Sequence, residues 1–543
     1  MCAVNTDAGV SFAAGLVVEL PKSHADVMWY RAMMAAVLTR DGHVHLGGDN
    51  SWPDMASPLL FVRHFYEPCW EKVMASGESK HISQQRKFVV MGTPGIGKSA
   101  FGLYVLWRAL RAGRTVIYKT RKRDGKAFLF RDGRVFDVQR IVSLPEISEP
   151  STILIVDGME APSENAFTVL ITSPLRERWK EFVKTEGVQQ LVFPVFSLKE
   201  VRELRAVAFE SKSGCDETSV MERYAKWGGS VRHVLTHPDP HWQLDLASNA
   251  ANMTLKHLKL SCGLEAKNQA AIAQHNVLHL KAVCELDDCT LRPADAGFYD
   301  FSHGELASLF VQELVYKQLR ENEADDLFTF LRTSVSNPAL AAFRGVQFEL
   351  FALHTLAAGG RFKLKRLGAG DGALKSAHLE LEPSSVRSFS KLSEVVLSGG
   401  LAVWKPLSVS FCAIDAILCA PPLVMAANAT VSVVHPLHLT NVRGGLDTIA
   451  SALKLPKDRE ISFLWIVPDD TFEKMTDPSP LKISGKALSS VALLDHSGGK
   501  RVVQYALSVP IPSSFHRHGA MVDLGGGGKA PDAKRSTHST KSK

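Results

Sequence analysis

The chain has 543 residues, room for about three or four domains at roughly 150 residues each. Hydrophobic residues make up 45% and charged residues 22%, globular proportions that exclude wholesale disorder and collagen-like repeats. Lys and Arg total 63 against 56 Asp and Glu, a net charge of +7 that admits a polyanionic partner without requiring one, and no apolar run reaches the roughly 18 to 20 residues of a membrane-crossing helix.

Residues 1–56 read as a variable N-terminal segment, and their first residues lack the charged start and long apolar run of a secretory signal. Eight cysteines are scattered without a CxxC pair, which points to reduced thiols in an intracellular setting. Cys284 and Cys289 have no matching Cys/His pair at zinc spacing and read as structural. Residues 57–75 read as a short helix whose apolar residues can dock it onto the adjoining strands. From 87 to 235, apolar strands (87–91, 115–120, 151–158, 166–174, 189–195) alternate with helical stretches, and a hairpin turns at Gly133 within 127–138. That alternation predicts a largely parallel sheet covered on both faces. Residues 236–340 look mostly helical. A helix is expected over 343–360, and strands over 408–420, 431–437, 461–468 and 501–510. The Gly/Ser/Lys-rich tail, 513–543, reads as disordered and basic.

The strongest motif is GTPGIGKS, comprising Gly92, Thr93, Pro94, Gly95, Ile96, Gly97, Lys98 and Ser99. It satisfies the Walker A pattern G-x-x-x-x-G-K-[ST] between a strand and a helix. Glycines let main-chain N–H groups wrap a phosphate, and the helix N-terminus favours its charge. Lys98 would neutralise the β- and γ-phosphates and Ser99 would ligate Mg²⁺. The apolar strand TILIVDG delivers Asp157 at its C-terminal end as the second magnesium-binding acid. Gly158 follows where many ATPases carry a catalytic Glu, leaving Glu160 as the nearest acid to orient water. Thr172, with Ser173, ends the next strand where a γ-phosphate is sensed, and Arg232 after the Gly228–Gly229 pair is placed to report nucleotide state. With no guanine-specificity motif, ATP is the expected nucleotide. KTRKR at 119–123 reads as a solvated loop, or more sharply as a nuclear-import signal or phosphate-backbone contact.

The order GTPGIGKSAFGLYVLWRALRAGRTVIYKT, ILIVDGMEAP, LVFPVFSLKEV, WGGSVRHVL, then GELASLFVQEL, FRGVQFE and AIDAIL…ATVSVVHPLH resembles the Crinkler and retrotransposon-hot-spot (RHS) group of effector-like proteins from residue 57 onward. The resemblance implies a P-loop NTPase of AAA/STAND-like kind over 57–240, a helical connector over 241–340 and a restriction-endonuclease-like α/β domain over 341–512. It further implies DNA as partner, action in the nucleus of its own or a host cell, and secretion as an effector. The LFLAK-type translocation motif usual in Crinklers is not seen.

Within the C-terminal part, Glu349 lies on an amphipathic helix and Asp415 is a lone carboxylate in an apolar strand, where an unpaired charge is costly and often meets a metal or base. Both match the family's acid positions, so a magnesium-dependent nuclease site would use Glu349 and Asp415, with Asp415 as metal ligand. The third element falls on Asn428 and Thr430, where the family pattern has an acid or Gln and a Lys; Lys405 and His435 are substitutes for the missing cation. The expectation is an ATPase module gating a DNA-acting, nuclease-like module. The alternative is an NTP-switched scaffold with a catalytically dead nuclease fold. Oligomeric state is left open.

Overall fold

The structure, a computed structural model, describes residues 17–513 apart from 49, 54, 56, 79–85, 174–178, 186, 263–276, 284–298, 335–336, 338–339, 369–376, 390, 397–401, 408–413, 421–422, 434–436, 454–460, 477–480, 484–485 and 488–501. Cys284, Cys289, His435 and the tail beyond 513 lie outside these residues. The chain is mixed α/β, with two eight-stranded sheets, and among the described residues no helix is long and apolar enough to cross a membrane.

The first half contains β1 (Val17–Glu19), α1 (Ala25–Ala35), β2 (His43–His45), β3 (Leu59–Phe61), α2 (Tyr66–Glu78), β4 (Lys87–Met91), α3 (Lys98–Arg111), β5 (Val116–Thr120), β6 (Ala127–Arg131), β7 (Arg134–Val138), β8 (Ile153–Asp157), β9 (Phe167–Ile171) and β10 (Val188–Val192). The sheet order is β1-β7-β6-β5-β8-β9-β4-β10. Strands β5, β8, β9, β4 and β10 are mutually parallel, and the β6–β7 hairpin with β1 adds an antiparallel edge. The parallel strands are near-continuous apolar runs because both faces are covered. Helix α3 is apolar almost all round and is correspondingly buried. Residues 57–75 are not one helix. Leu59–Phe61 pairs with β2, and the helix starts only at Tyr66, since the β-prone run LLFV finds a strand partner that local periodicity does not reveal.

A buried ion pair fixes this early segment to the sheet. Arg63, 1% exposed, donates from Nε to Glu200 Oε1 (2.8 Å) and from Nη2 to Oε2 (2.9 Å), while its remaining N–H groups reach the carbonyls of Pro194 (2.7 Å) and Val195 (2.9 Å). Its guanidinium stacks 4.0 Å over Phe196. Glu200 also closes a capping box with Ser197 at the start of α4 (Leu198–Ala208). Burial alone would raise the Glu200 carboxyl; hydrogen bonds from His64 and Arg63, and the Arg63 charge, hold it far below the usual carboxylate range.

The middle of the chain runs α5 (Glu217–Trp227), α6 (Pro240–Ala251), α7 (Leu255–Cys262), the hairpin β11 (Leu278–Ala282) and β12 (Phe301–Leu306), α8 (Leu309–Asn322), α9 (Ala324–Thr333) and α10 (Ala341–Ala357). Residues 236–340, read as mostly helical, contain α6 to α9 together with this hairpin between α7 and α8. One apolar cluster continues from Val89 and Leu154 through Trp227, Val315 and Leu331 to Phe348, Leu464 and Leu507, so these helices share a core with both sheets.

The second sheet is built from β13 (Gly360–Arg366), β14 (Ala377–Leu381), β15 (Val386–Phe389), β16 (Ala402–Pro406), β17 (Ala416–Ala420), β18 (Leu423–Ala429), β20 (Ile461–Val467) and β23 (Val502–Ser508), with the order β14-β13-β23-β20-β18-β17-β16-β15. Three short strands, β19 (Leu437–His438), β21 (Leu481–Ile483) and β22 (Lys486–Ala487), form a separate small sheet. Helix α10 covers the face carrying Val403, Leu418, Met425 and Ala427. Helix α11 (Leu439–Ala452) covers the face carrying Trp404, Ile417, Val424 and Ala426, and α12 (Asp469–Lys474) follows β20. Of the strand expected at 431–437, residues 434–436 lie outside the described residues and Leu437 belongs to β19; the strand beside β17 is Leu423–Ala429. The hairpin register Ala416↔Ala427 commits those residues, and the Thr430 hydroxyl then accepts the Ser432 N–H in a turn.

Glu200→Gln, which leaves Arg63 charged and buried, should cost about 3–5 kcal/mol in denaturant unfolding followed by tryptophan fluorescence. The Arg63→Met/Glu200→Leu double variant should lose less than the single variant; equal or greater loss would exclude a desolvated charge as the cause.

Candidate functional site

The Gly92–Ser99 loop leaves the C-terminal end of β4, where the parallel strands of the first sheet converge. Its conformation admits only glycine at three points. Gly92, Gly95 and Gly97 have φ of +152°, +79° and +85°. A Cβ on Gly92 would come within 2.8 Å of Ile96 Cδ1 and 2.9 Å of the Phe193 carbonyl; one on Gly95 would sit 2.7 Å from Arg232 Cβ. The loop is held from outside as well. Tyr66 donates its hydroxyl to the Gly97 carbonyl (3.0 Å), Ser230 donates to the Pro94 carbonyl (3.2 Å), and the Arg232 N–H reaches the Gly95 carbonyl (3.2 Å). The Leu280 N–H of β11 donates to Thr93 Oγ1 (3.0 Å).

Lys98, at the first turn of α3, folds back so that Nζ donates to the carbonyls of Gly92 (2.7 Å) and Thr93 (2.8 Å). Burial pushes its ammonium down to about 7; the Arg232 charge acts in the same direction and Asp157 opposes them. Asp157 ends β8 and is buried, and Ser99 follows Lys98 in the half-buried first turn of the helix. Strand β9 lies between β8 and β4. Thr172, just past its end, donates its backbone N–H to the Val90 carbonyl (3.0 Å), which places it between Asp157 and the glycine loop. Its hydroxyl is buried and makes no hydrogen bond. The sequence-expected residues Gly92–Ser99, Asp157, Thr172 and Arg232 thus meet at one edge of one sheet. Glu160 is exposed on the loop after Asp157.

The Gly228–Gly229 pair explains how Arg232 arrives there. Gly228 has φ +57°, and a Cβ on it would come 2.8 Å from His279 Cε1 and would collide with the Ala307 carbonyl; a Cβ on Gly229 would meet the Phe196 backbone. Residues Arg232–Thr236 form a π-helical turn rather than the start of an ordinary helix. The run 119–123 reads differently in three dimensions. Lys119 and Thr120 belong to β5, and Arg123 pairs with Asp26 of α1 and lies over Phe128 (5.4 Å), leaving Arg121 and Lys122 exposed.

In the second sheet, Glu349, Lys405 and Asp415 form an acid–base cluster beside α10. Lys405 Nζ, on a side chain 4% exposed, lies 3.3 Å from Glu349 Oε1 and 3.1 Å from Glu313 Oε1 of α8. Glu313 Oε2 is 3.3 Å from His354 Nε2. Asp415, just before β17, accepts the Ala429 N–H (2.9 Å). Burial and the neighbouring Glu349 charge push its carboxyl up to about 8, against the Ala429 hydrogen bond and Lys405. Glu349 is also raised by burial, with Lys405 opposing. Asn428 and Thr430 are both buried: the register Ala416↔Ala427 sets Asn428 across the hairpin from Asp415, and the Thr430 hydroxyl accepts the Ser432 N–H. Lys405, from the strand on the far side of β17, places a cation beside Glu349. Among the described residues no group of three His, Cys, Asp or Glu side chains stands ready for a metal.

Sequence reasoning missed Glu313, Ser230, Tyr66 and the Arg63–Glu200 pair. The capping-box spacing Ser197–Glu200 was a readable signal for one of these; the others are joined only by long-range packing.

No family model matches the chain. It is similar to Crinkler effector protein 15 of Phytophthora infestans, 23% identical over 331 residues, which is 57% of this chain and 48% of that protein. It is also similar to Crinkler effector protein 16 of the same organism, 22% identical over 327 residues, again 57% of this chain and 48% of the relative. The chain spans about half the length of the curated relatives it matches. This distant similarity supports an effector-like protein.

The raised Asp415 carboxyl gives a pH signature. Folding holds a proton that the unfolded chain releases above its ordinary 3.8, so stability falls as pH rises from there to about 8. Asp415→Asn should therefore melt above wild type at pH 8, by a margin that shrinks toward pH 5. A constant difference across pH would show that the carboxyl is not held protonated.

Proposed function

We propose that the protein is an effector-like ATP-binding protein in which the Gly92–Ser99 loop takes the triphosphate and a C-terminal module acts on DNA in the nucleus. The observation that carries the nucleotide reading is the combination at one sheet edge of a glycine-locked loop, a lysine turned onto the loop's own carbonyls and an unpartnered Thr172 hydroxyl. The loop amides would take the phosphate oxygens, Lys98 would swing from the Gly92 and Thr93 carbonyls to the phosphates, and Ser99 with Asp157 would hold magnesium. Bound there, magnesium neutralises charge on the β- and γ-phosphates. Thr172 fits a role in sensing the terminal phosphate. With Gly158 after Asp157 and Glu160 exposed, slow turnover or a nucleotide-controlled switch fits better than fast hydrolysis.

For the C-terminal module, Glu349 and Asp415 are the kind of pair that holds magnesium together with waters and a substrate phosphate. Glu349 is engaged by Lys405, so the donor set fits a metal only once that ion pair loosens. We read the module as a DNA-acting site with Lys405 as its cation. The second reading is a nucleotide-switched scaffold; an amide at Asn428 and a hydroxyl at Thr430, in place of an acid and a lysine, favour it.

Lys98→Ala should abolish ATP binding in calorimetry, and wild type should take up a proton on binding near pH 8, where its free Lys98 is largely neutral. Unchanged affinity in the variant would refute the nucleotide site. In a divalent-metal plasmid-nicking assay, cleavage by wild type that is lost in Asp415→Ala supports the nuclease reading; no cleavage at any metal concentration supports the scaffold.

A further inference from the structure

Helix α8 touches both candidate sites. At its start, Ser308 caps the helix by accepting the Val311 N–H and donates its own hydroxyl to the Lys226 carbonyl in the last turn of α5 (2.6 Å). The preceding Ala307 carbonyl packs on Gly228, whose near neighbours Ser230 and Arg232 hold Pro94 and Gly95 of the glycine loop. Ala307 also donates its N–H to the Val277 carbonyl, beside the strand whose Leu280 grips Thr93. Five residues on from Ser308, about 7.5 Å along the helix, Glu313 reaches out of the connector and binds Lys405 of the second sheet.

Lys405 is therefore shared. Its ammonium is held between Glu313 of the connector and Glu349 of α10, and Glu313 is itself steadied by His354, whose ring stacks on Tyr316. A cavity of about 700 Å³ opens beside this junction, lined by Phe310, Glu313, Tyr316, Arg320 and His354. It leaves α8 room to shift relative to α10 without rebuilding a packed interior.

We propose that Glu313 is a positioning residue for the C-terminal site, forming with Lys405 a latch that α8 holds closed and that opens when the glycine loop takes a triphosphate. The proposal rests on the nucleotide reading above and adds the element that carries the signal. In the closed arrangement the glycine loop is satisfied internally by Lys98, and Lys405 is divided between two carboxylates. Movement of Gly228–Arg232 toward a bound phosphate would draw on Ala307 and Ser308, and through α8 on Glu313. Coupling is reciprocal: if nucleotide opens the latch, opening the latch by mutation must tighten nucleotide binding by the same factor.

The test needs no nuclease activity. ATP affinity in the presence of magnesium is measured by calorimetry on the full chain for wild type, Glu313→Gln, Lys405→Met, the double variant and Asn322→Ala, a control at the exposed end of α8 outside the cavity. Both single latch variants should bind ATP about fivefold or more tightly, within the usual range of coupling. The double variant should match either single change, because one interaction is being removed, and the control should match wild type. Equal affinity in folded wild type and latch variants would overturn the latch while leaving the nucleotide site intact. Folded wild type that binds no ATP would overturn the nucleotide reading, and the latch with it. If Lys405→Met does not fold, Glu313→Gln and Glu313→Asp carry the same comparison, with wild-type affinity in both overturning the proposal.

Discussion

The organisation of the molecule depends on how closely the backbone of the Gly92–Ser99 loop approaches its neighbours. At Gly92 the loop lies against the Phe193 carbonyl, and at Gly95 against Arg232. A single methyl group at either point would drive the elements apart, because the left-handed backbone there leaves no direction in which a side chain could escape. The same exclusion recurs at Gly228, packed on His279 and Ala307. Three segments far apart in sequence, around residues 95, 230 and 307, are thus brought into main-chain contact. A contact made by backbone cannot be absorbed by a change of rotamer, so displacement of one segment must be taken up by the others.

Charge is distributed to the same end. Where the molecule needs a fixed joint, it uses a fully paired ion pair: Arg63 and Glu200 satisfy each other and the surrounding carbonyls. Where chemistry is proposed, pairing is incomplete. Lys98 is buried against carbonyl dipoles rather than a carboxylate, the Thr172 hydroxyl makes no hydrogen bond, and Lys405 serves two acids while Asp415 is held toward its neutral form. Incomplete pairing costs stability, and groups left in that condition are the ones able to accept a new partner.

The cation beside Glu349 comes from a different strand than Thr430. A sheet brings neighbouring strands to about 5 Å, so Lys405, two strands from Thr430, presents its ammonium to an acid on the helix above. From there it also lies within reach of Glu313 on the connector.

The linear order of residues by itself determined the glycine loop, its flanking strand and helix, the apolar strand ending in Asp157 and the alternation behind the first sheet. These are local features: each depends on spacing within a few residues and on the conformational limits of glycine. It also marked Asp415, because a carboxylate in an apolar run is conspicuous without any structure, whereas Glu349 was marked by the family resemblance. Only the tertiary structure decided that Leu59–Phe61 is a strand and that Leu423–Ala429 pairs with β17, since pairing partners and register are set by distant segments. Only it brought Glu313 to Lys405 across 92 residues of chain. That contact is a charge attraction and hydrogen bond strengthened by the low dielectric of the packed interior and offset by the desolvation of both groups, a balance that no local pattern encodes.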